Sequence, residues 1–298
     1  FAGQIEAGGG SYGEMHGSAA VSQRVGGFFY RVSGESRGSD NYRDNNHHEN
    51  HNVTGRAGYD YGSGSAYLET GYVKDRYQLA GALTAAEVDQ NRRQCQPGAC
   101  GNFLDSTTAF QRLNWEQTLS SRWSIETDVT HRRGNGSGFL GFALTQDRNQ
   151  WSINPRVSGK LPLPAGEGLL TTGIDLQRSS YEIVGFGPQS DTQRLRDLYV
   201  QAVLPVAAAW EVTVGARNAR VDNELVDSFG AGTPVDLRDT RNAWEAGVAW
   251  KATQHLRLYT RYDGNFRFAK ADEYFSLFPP VTTGNSPLQT QTGRTYEV

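Results

Sequence analysis

Apolar and polar residues alternate along most of the chain, and this period of two limits the possible folds more than any other feature. Trp123, Ile125 and Val129 are separated by polar residues. Comparable segments begin at Trp151 and Trp210. Successive side chains of a β-strand point to opposite faces, so each segment has one apolar and one polar face. Helical spacing fits none of these segments, and the sequence therefore predicts an all-β protein.

The composition narrows the class further. The chain has 298 residues, of which 35 are Gly, and only one is Met, which argues against a helical bundle packed on Leu and Met. No run of about 18 apolar residues is present, so a membrane-spanning helix is excluded. A formal net charge of −3 gives no electrostatic reason to expect a nucleic-acid partner.

The lengths of the segments and connections distinguish a soluble sandwich from a membrane barrel. The alternating segments approach the roughly 9–11 residues of a tilted membrane strand, whereas soluble strands run about 5–6. Short turns alternate with long polar stretches. The short turns lie at residues 119–122, 205–209 and 252–255, and the long stretches at 38–52, 77–106, 134–149, 182–191, 223–239 and 269–293. This layout predicts a segment of a transmembrane antiparallel β-barrel, about 14 strands long, with short periplasmic turns and long extracellular loops.

Three tryptophans give an independent indication. Trp123 and Trp210 directly follow short turns, and Trp250 just precedes one. All three are expected at the same end of their strands, where an interfacial aromatic girdle belongs. The alternative is that these rings fill a soluble core, which does not predict clustering at one end.

Two motifs near the end of the sequence resemble a known family. Residues 264–274 read Gly-Asn-Phe-Arg-Phe-Ala-Lys-Ala-Asp-Glu-Tyr and resemble the "G-F-R-A-P-x-x-x-E-L" motif of TonB-dependent outer-membrane receptors. Residues 284–298 resemble the family's "G-N-P-x-L-K-P-E-x-S-x-x-Y-E-x-G" motif. The matching positions are Phe266, Arg267, Ala269, Glu273, Gly284, Asn285, Leu288, Tyr296 and Glu297. Lys270 stands where the family usually has Pro, and residues 289–292 replace its Lys-Pro-Glu stretch.

The resemblance implies an active transporter rather than an enzyme, in the bacterial outer membrane and without a cofactor. It implies a 22-strand barrel, of which residues 1–298 would be a partial barrel domain that lacks the plug and the last strands. The implied partners are outer-membrane lipid, a plug domain of the same chain, TonB through an N-terminal segment outside this sequence, and a small-molecule nutrient. A ferric siderophore or other iron complex is the expected nutrient, with haem or cobalamin as alternatives. A passive or enzymatic barrel, porin-like or lipase-like, and a soluble all-β adhesin are the alternatives from other classes.

Charged residues at inward positions of the predicted strands are expected to contact the plug or to hydrate the lumen. They are Glu126, Asp128, Arg156, Glu211, Arg217, Glu245, Arg257 and Arg261. No catalytic constellation is visible.

Cys95 and Cys100 flank a Gln-Pro-Gly-Ala sequence in a predicted extracellular loop. A Pro-Gly turn can bring the two sulfurs within bonding distance, and the outside of an outer membrane permits a disulfide. The pair therefore predicts a disulfide that orders the loop, with a metal pair or free thiols as alternatives.

Other candidate sites lie in predicted loops. His47, His48 and His51 share one loop, and imidazole suits zinc, copper or haem iron, although their spacing matches no tight motif. Loop aromatics could hold a planar ligand, and two arginines could add charge for an anionic siderophore. These candidates are Tyr42, Phe139, Phe142, Tyr181, Phe186, Tyr274 and Phe275, with Arg43 and Arg241. The alternative is that the aromatic side chains pack the loops together.

Overall fold

The computed structural model describes residues 1–185, 187–227, 234–274 and 288–298. These residues form fourteen strands, one α-helix and one short 3-10 helix. Within the described ranges, neither helical segment is long and apolar enough to cross a membrane.

The strands follow one another with few interruptions. The first seven are β1 (Ala2–Gly9), β2 (Met15–Val25), β3 (Phe28–Ser39), β4 (His48–Asp60), β5 (Gly64–Gln78), β6 (Phe103–Thr118) and β7 (Trp123–Phe139). The others are β8 (Ala143–Leu163), β9 (Gly166–Val184), β10 (Pro188–Ala207), β11 (Trp210–Asp227), β12 (Val235–Lys251), β13 (Arg257–Arg267) and β14 (Gln291–Glu297). Helix α1 (Ala85–Asn91) lies between β5 and β6, and the 3-10 helix (Ala271–Tyr274) lies between β13 and β14.

All fourteen strands belong to one antiparallel sheet, in which each strand pairs with its neighbours in sequence order. The predicted all-β fold and strand number are confirmed. The connections at one edge, here called the short-turn end, contain two to five residues each. The opposite edge, here called the long-loop end, carries the two longest connections, residues 79–102 and 268–290.

Strand pairing takes up most of three stretches that the sequence predicts as long loops. β7 continues to Phe139 and β8 begins at Ala143, so only three residues join them. β8 has 21 residues, about twice the length that a membrane crossing needs. Beyond the apolar part of a strand both faces are polar, so the alternation disappears although the backbone hydrogen bonds continue.

The two faces of the sheet differ sharply. Ile153 lies directly opposite Leu176 on β9, and both side chains are exposed. Leu198 on β10 continues this surface and is 58% exposed. We call it the apolar face. The opposite surface, the polar face, includes the buried side chains of Asp197 and Asn223.

The predicted girdle tryptophans all lie on the apolar face at the short-turn end. Trp210 and Trp250 are directly opposite each other, and their rings stack 5.6 Å apart at 12°. The Trp123 ring lies over Gly159 on β8, where a Cβ atom would collide with it. This placement suits an interfacial girdle, and the contact with lipid stays a prediction.

Ion pairs connect strands across the polar face, either neighbouring strands or strands two positions apart. The Arg217 guanidinium contacts Asp175 at 2.8 Å and also Asp197. The other expected inward charges pair in the same way. These pairs are Arg156–Glu126, Arg112–Asp128, Arg257–Glu211 and Arg261–Glu245. The charges of this face therefore largely neutralise one another between strands.

Candidate functional site

Residues 267–274 begin with the last residue of β13 and fold back over the polar face at the long-loop end. We call this segment the folded-in turn. It contains part of the family-like motif. The Arg267 guanidinium forms an ion pair with Glu273. The second carboxylate oxygen of Glu273 accepts a 2.9 Å hydrogen bond from the backbone N–H of Lys270. Glu273 therefore closes the turn and caps the 3-10 helix.

Side chains of β10 and β11 anchor the folded-in turn. The Gln193 amide donates a 2.9 Å hydrogen bond to the backbone carbonyl of Ala269. Tyr274 and Ala269 are buried against Leu225, and Asn223 donates to the Tyr274 hydroxyl at 3.4 Å. Motif residues thus attach the turn to the inside of the sheet.

A cavity of about 360 Å³ lies between the folded-in turn and strands β7–β10, and we call it the basin. Its wall is polar and basic. The lining residues are Arg132, Arg148, Asn149, Gln150, Gln177, Ser179, Ser180, Tyr181, Gln193, Lys270, Ala271 and Asp272. A second cavity of about 310 Å³ adjoins it and shares Arg132, Arg148 and Gln150.

The basin carries excess positive charge. Its wall holds three cationic side chains and one carboxylate, a formal charge of +3 − 1 = +2. Arg148 contacts Asp272 at 2.8 Å and lies 4.9 Å from the centre of the Tyr181 ring. Burial raises the pKa of the Tyr181 hydroxyl, which therefore stays protonated. Cations, amides and a phenol together favour an anionic ligand rich in hydrogen-bond acceptors.

Asp191 on β10 lies beside the basin on the polar face. In the register it stands between Tyr181 on β9 and Leu225 on β11. The side chain is 1% exposed, and neither carboxylate oxygen has a hydrogen-bond partner in the described part of the structure. Burial raises the pKa of Asp191 to about 7.

Two other connections at the long-loop end, residues 40–47 and 79–102, are bound to each other, and we call them the stapled loops. Arg43 and Asn45 of the first loop donate hydrogen bonds to backbone carbonyls of the second. The acceptors are Gln94, Gly81 and Ala80 for Arg43, and Leu79, Ala99 and Asn102 for Asn45, at 2.6–3.1 Å. Cys95 and Cys100 form the predicted disulfide in the second loop.

Tyr42 and Arg43, which the sequence suggests as ligand-binding residues, are engaged within the stapled loops. The Tyr42 ring packs edge-on against Tyr12 at 5.8 Å. The Arg43 guanidinium donates hydrogen bonds to backbone carbonyls of the second loop. These contacts agree with the alternative that such side chains pack the loops together.

The three histidines of the suggested metal site have separate partners. His47 contacts Asp40 at 2.9 Å and Glu49 at 3.0 Å. His48 stacks on Tyr77, and His51 shares a 2.9 Å hydrogen bond with Ser36 on β3. His48 and His51 lie three residues apart on β4 and therefore point to opposite faces. No group of three or more His, Cys, Asp or Glu side chains suited to a metal occurs in the described ranges.

The remaining candidates fall in different places. Tyr181 lines the basin, and Tyr274 is buried beneath the folded-in turn. Arg241 pairs with Asp239 at 2.9 Å. Phe139 ends β7 with an exposed ring, and Phe142 lies in the turn that follows. Outside the described residues lie Phe186, Phe275, Gly284 and Asn285.

Four motif residues lie on or beside the last two strands. Phe266 packs against Phe268 at 4.9 Å. Tyr296 lies opposite Tyr262 and Glu297 opposite Arg261 on β13, whereas Leu288 precedes β14 and is partly exposed.

Arg132, Arg148, Lys270 and Asp272 are not among the ligand-binding residues that the sequence suggests. The alternation could have identified Arg132 and Arg148. Each lies an even number of residues from an expected polar-face charge on its own strand, Arg132 from Glu126 and Arg148 from Arg156, and therefore points to the same face. Lys270 and Asp272 join them only because the folded-in turn bends over that face. The spacing of residues in the sequence does not predict this bend.

Solved structures with the same fold include three receptors. The ferric-catecholate import receptor Fiu from E. coli K12, closed form, matches with a TM-score of 0.77 and 14% identity, covering 99% of this chain and 54% of that one. P. aeruginosa FpvA bound to a heterologous pyoverdine matches at 0.78 and 14%, covering 99% and 45%. BauA, the ferric preacinetobactin receptor from Acinetobacter baumannii, matches at 0.75 and 11%, covering 99% and 50%. The chain thus spans about half the length of these proteins.

No curated protein sequence matches the chain. A family model described as "TonB dependent receptor-like, beta-barrel" matches residues 25–298. This match extends over far more of the chain than the two motifs at its end and confirms the resemblance that they suggest. The chain belongs to the TonB-dependent receptor β-barrel family.

Proposed function

We propose that this chain forms the wall of an outer-membrane import receptor that binds an anionic iron complex, of the ferric siderophore class, in the basin. The observation that carries the proposal is the excess positive charge of the basin, on the polar face and beneath a motif-bearing turn. The similar structures include a ferric-catecholate receptor and a ferric preacinetobactin receptor, and these relatives support the same substrate class.

The side chains of the basin wall suit a ligand of this class. Catecholate and carboxylate groups leave an iron complex negatively charged and rich in oxygen acceptors. Within the described ranges, Arg132 and Lys270 line the basin without an ion pair, whereas Arg148 is oriented by Asp272. Guanidinium and ammonium groups favour such anions, and the amides of Gln150 and Gln177 can donate further hydrogen bonds.

We further propose that a plug domain of the same protein fills the space beside the polar face and that TonB supplies the energy for import. The ion pairs of this face give the plug a polar and largely charge-neutral surface. Lipid of the outer membrane would surround the apolar face, because its exposed Leu, Ile and Trp side chains suit hydrocarbon.

Growth of a receptor-deleted strain tests the proposal. The gene, expressed from its complete reading frame, is returned to the strain, and growth is scored on ferric catecholates, ferric hydroxamates, ferric citrate, haem and cobalamin. Rescue on an anionic iron complex that disappears when TonB is deleted is the expected result. Rescue that persists without TonB would instead indicate a passive barrel, and rescue on cobalamin alone would contradict the substrate class.

A charge variant tests the role of the basin. Arg132→Gln/Lys270→Gln removes two basin cations and is expected to weaken uptake affinity at least about tenfold, since a hydrogen bond to a charged group contributes roughly 1.5–3 kcal/mol. Arg122→Gln/Lys251→Gln removes the same charges at the short-turn end, where neither side chain forms an ion pair in the described residues, and is the matched control. Equal loss in both variants would show that the basin has no special role.

A further inference from the structure

Several arginines lie on the apolar face of strands β9–β12, at the level where polar residues replace apolar ones along these strands. Two adjacent rows of opposed residues hold five arginines and one aspartate, a formal charge of +5 − 1 = +4. We call these rows the basic belt. It consists of Arg178, Arg194, Arg196, Arg220 and Arg238, with Asp222.

The arginines of the belt fall into two groups. Arg220 and Arg238 contact Asp222 at 3.0 and 3.4 Å. Within the described part of the chain, the side chains of Arg178, Arg194 and Arg196 form no ion pair or hydrogen bond. Arg178 lies directly opposite Arg194, and Asp222 lies opposite Arg194 on its other side. Because Asp222 contacts Arg220 and Arg238, Arg178 and Arg194 remain adjacent like charges, which an anion between them would stabilise.

An apolar groove of about 440 Å³ begins at these three arginines. Its walls include Val129, Ile153 and Leu176, which lie side by side on β7, β8 and β9. Trp151 forms one edge, and its ring stacks on His131 at 4.1 Å. One surface feature thus combines an apolar trough with a cluster of cations at one end.

We propose that the groove and the unpaired arginines of the basic belt bind a phosphorylated lipid of the outer leaflet, with its phosphates on the guanidinium groups and an acyl chain along the groove. Guanidinium groups bind phosphate oxygens in a bidentate manner, and the trough accepts hydrocarbon. The next row towards the short-turn end includes Ile174 and Leu198, so the belt lies at the edge of the apolar surface, where lipid headgroups are found. The inference rests on the proposed membrane placement but not on the substrate or on TonB.

Lipid retention by the purified protein tests this site. The protein, expressed from its complete reading frame, is delipidated in detergent, mixed with diphosphorylated lipid A, and analysed by native mass spectrometry. Arg178→Gln/Arg194→Gln is expected to lower the retained lipid at least about tenfold, because charge-assisted bonds to phosphate are lost. Arg92→Gln/Arg122→Gln removes two exposed arginines elsewhere and is expected to retain lipid as the wild type does. Heat-modifiable gel mobility confirms that each variant is folded.

Three results would overturn the proposal. If Arg178→Gln/Arg194→Gln retained as much lipid as the wild type, these two arginines would not belong to the binding site. Equal losses in both double variants would reduce the effect to net charge. Equal retention of fully dephosphorylated lipid A by the wild type would exclude phosphate recognition. Failure of iron uptake with intact lipid retention would contradict only the proposed function.

Discussion

The stapled loops and the folded-in turn lie at the same end of the sheet but are held by different kinds of interaction. In the stapled loops, Arg43 and Asn45 donate to six backbone carbonyls, and a disulfide closes the second loop. The folded-in turn depends on side chains, chiefly Gln193, Tyr274 and the Arg267–Glu273 pair. Backbone carbonyls do not titrate, whereas the turn lies beside a buried carboxyl group, Asp191.

This difference suggests a division of roles. The stapled loops form a fixed part of the rim, because breaking them exposes several backbone acceptors at once. We expect the folded-in turn to be released more easily, either by deprotonation of Asp191 or by a ligand that replaces its contacts. Since Lys270 and Asp272 of the turn also line the basin, we expect ligand binding and turn position to be coupled.

The largest effect is expected at Asp191. Its pKa is raised from 3.8 to about 7, so the folded state binds more protons than the unfolded state between these values. The contribution of Asp191 to the stability of the turn region is therefore largest below about pH 4 and falls as the pH rises to about 7, by up to about 4 kcal/mol. Hydrogen exchange of residues 267–274, corrected for intrinsic rates at pH 5 and pH 8, measures this change.

Asp191→Asn provides the control for that measurement. The amide cannot ionise, so the protection of the folded-in turn should no longer depend on pH in this range. The stapled loops should retain their protection in both proteins between pH 5 and pH 6. An unchanged pH dependence in Asp191→Asn would show that another group controls the turn.

Loss of Arg43 is expected to loosen the stapled loops. Arg43→Met retains most of the apolar stem but leaves the carbonyls of Ala80, Gly81 and Gln94 without this donor, at a local cost of about 2–3 kcal/mol. Arg93→Met is the matched control, because Arg93 lies over the Tyr42 ring at 5.6 Å, a contact of about 0.5–1 kcal/mol. Hydrogen exchange of residues 79–102 should rise far more in the first variant. Similar increases in exchange in the two variants would argue against a special role of Arg43 in holding the stapled loops together.

The disulfide contributes a smaller, local effect. Cys95→Ser/Cys100→Ser opens a short loop, and the chain-entropy relation gives about 2 kcal/mol for such a closure. Exchange should rise within residues 79–102 but not in the folded-in turn. Intact-mass analysis after alkylation without reductant checks the bond itself, and labelling of both cysteines would disprove it.

The sequence predicts the sheet well because the period of two is a direct consequence of strand geometry. Trp210 and Trp250 occupy apolar positions of this alternation and lie opposite each other on the apolar face. Strand ends are predicted poorly, as at Phe139 and Ala143. Near these strand ends both faces of the sheet are polar, so apolar and polar residues no longer alternate although the strands remain paired.

The site is harder to predict because it depends on tertiary contacts. Arg148 and Asp272 are 124 residues apart in sequence and meet only across the folded-in turn. Conversely, Tyr42 and Arg43 have the residue types of a ligand site, but local backbone acceptors engage Arg43. Residue type alone does not distinguish a side chain that holds a loop from one that awaits a ligand.

The smallest effect is expected at His47, and it tests whether any part of the stapled region responds to pH. Hydrogen bonds to Glu49 and Asp40 raise the pKa of the His47 imidazole above 6.5. Its contribution is therefore complete below pH 6.5 and is lost as the pH rises through the raised pKa. The groups are partly exposed and screened by solvent, so the contribution is at most about 1 kcal/mol.

His47→Gln separates this effect from that of Asp191. Below pH 6.5 the variant should be slightly less stable in residues 40–47, and above the raised pKa the two proteins should converge. Salt should reduce the difference, because the ion pair is screened, whereas the buried Asp191 should respond little to salt. If His47→Gln instead changed exchange in residues 267–274, the two regions would be coupled, and the contrast between a fixed rim and a releasable turn would be wrong.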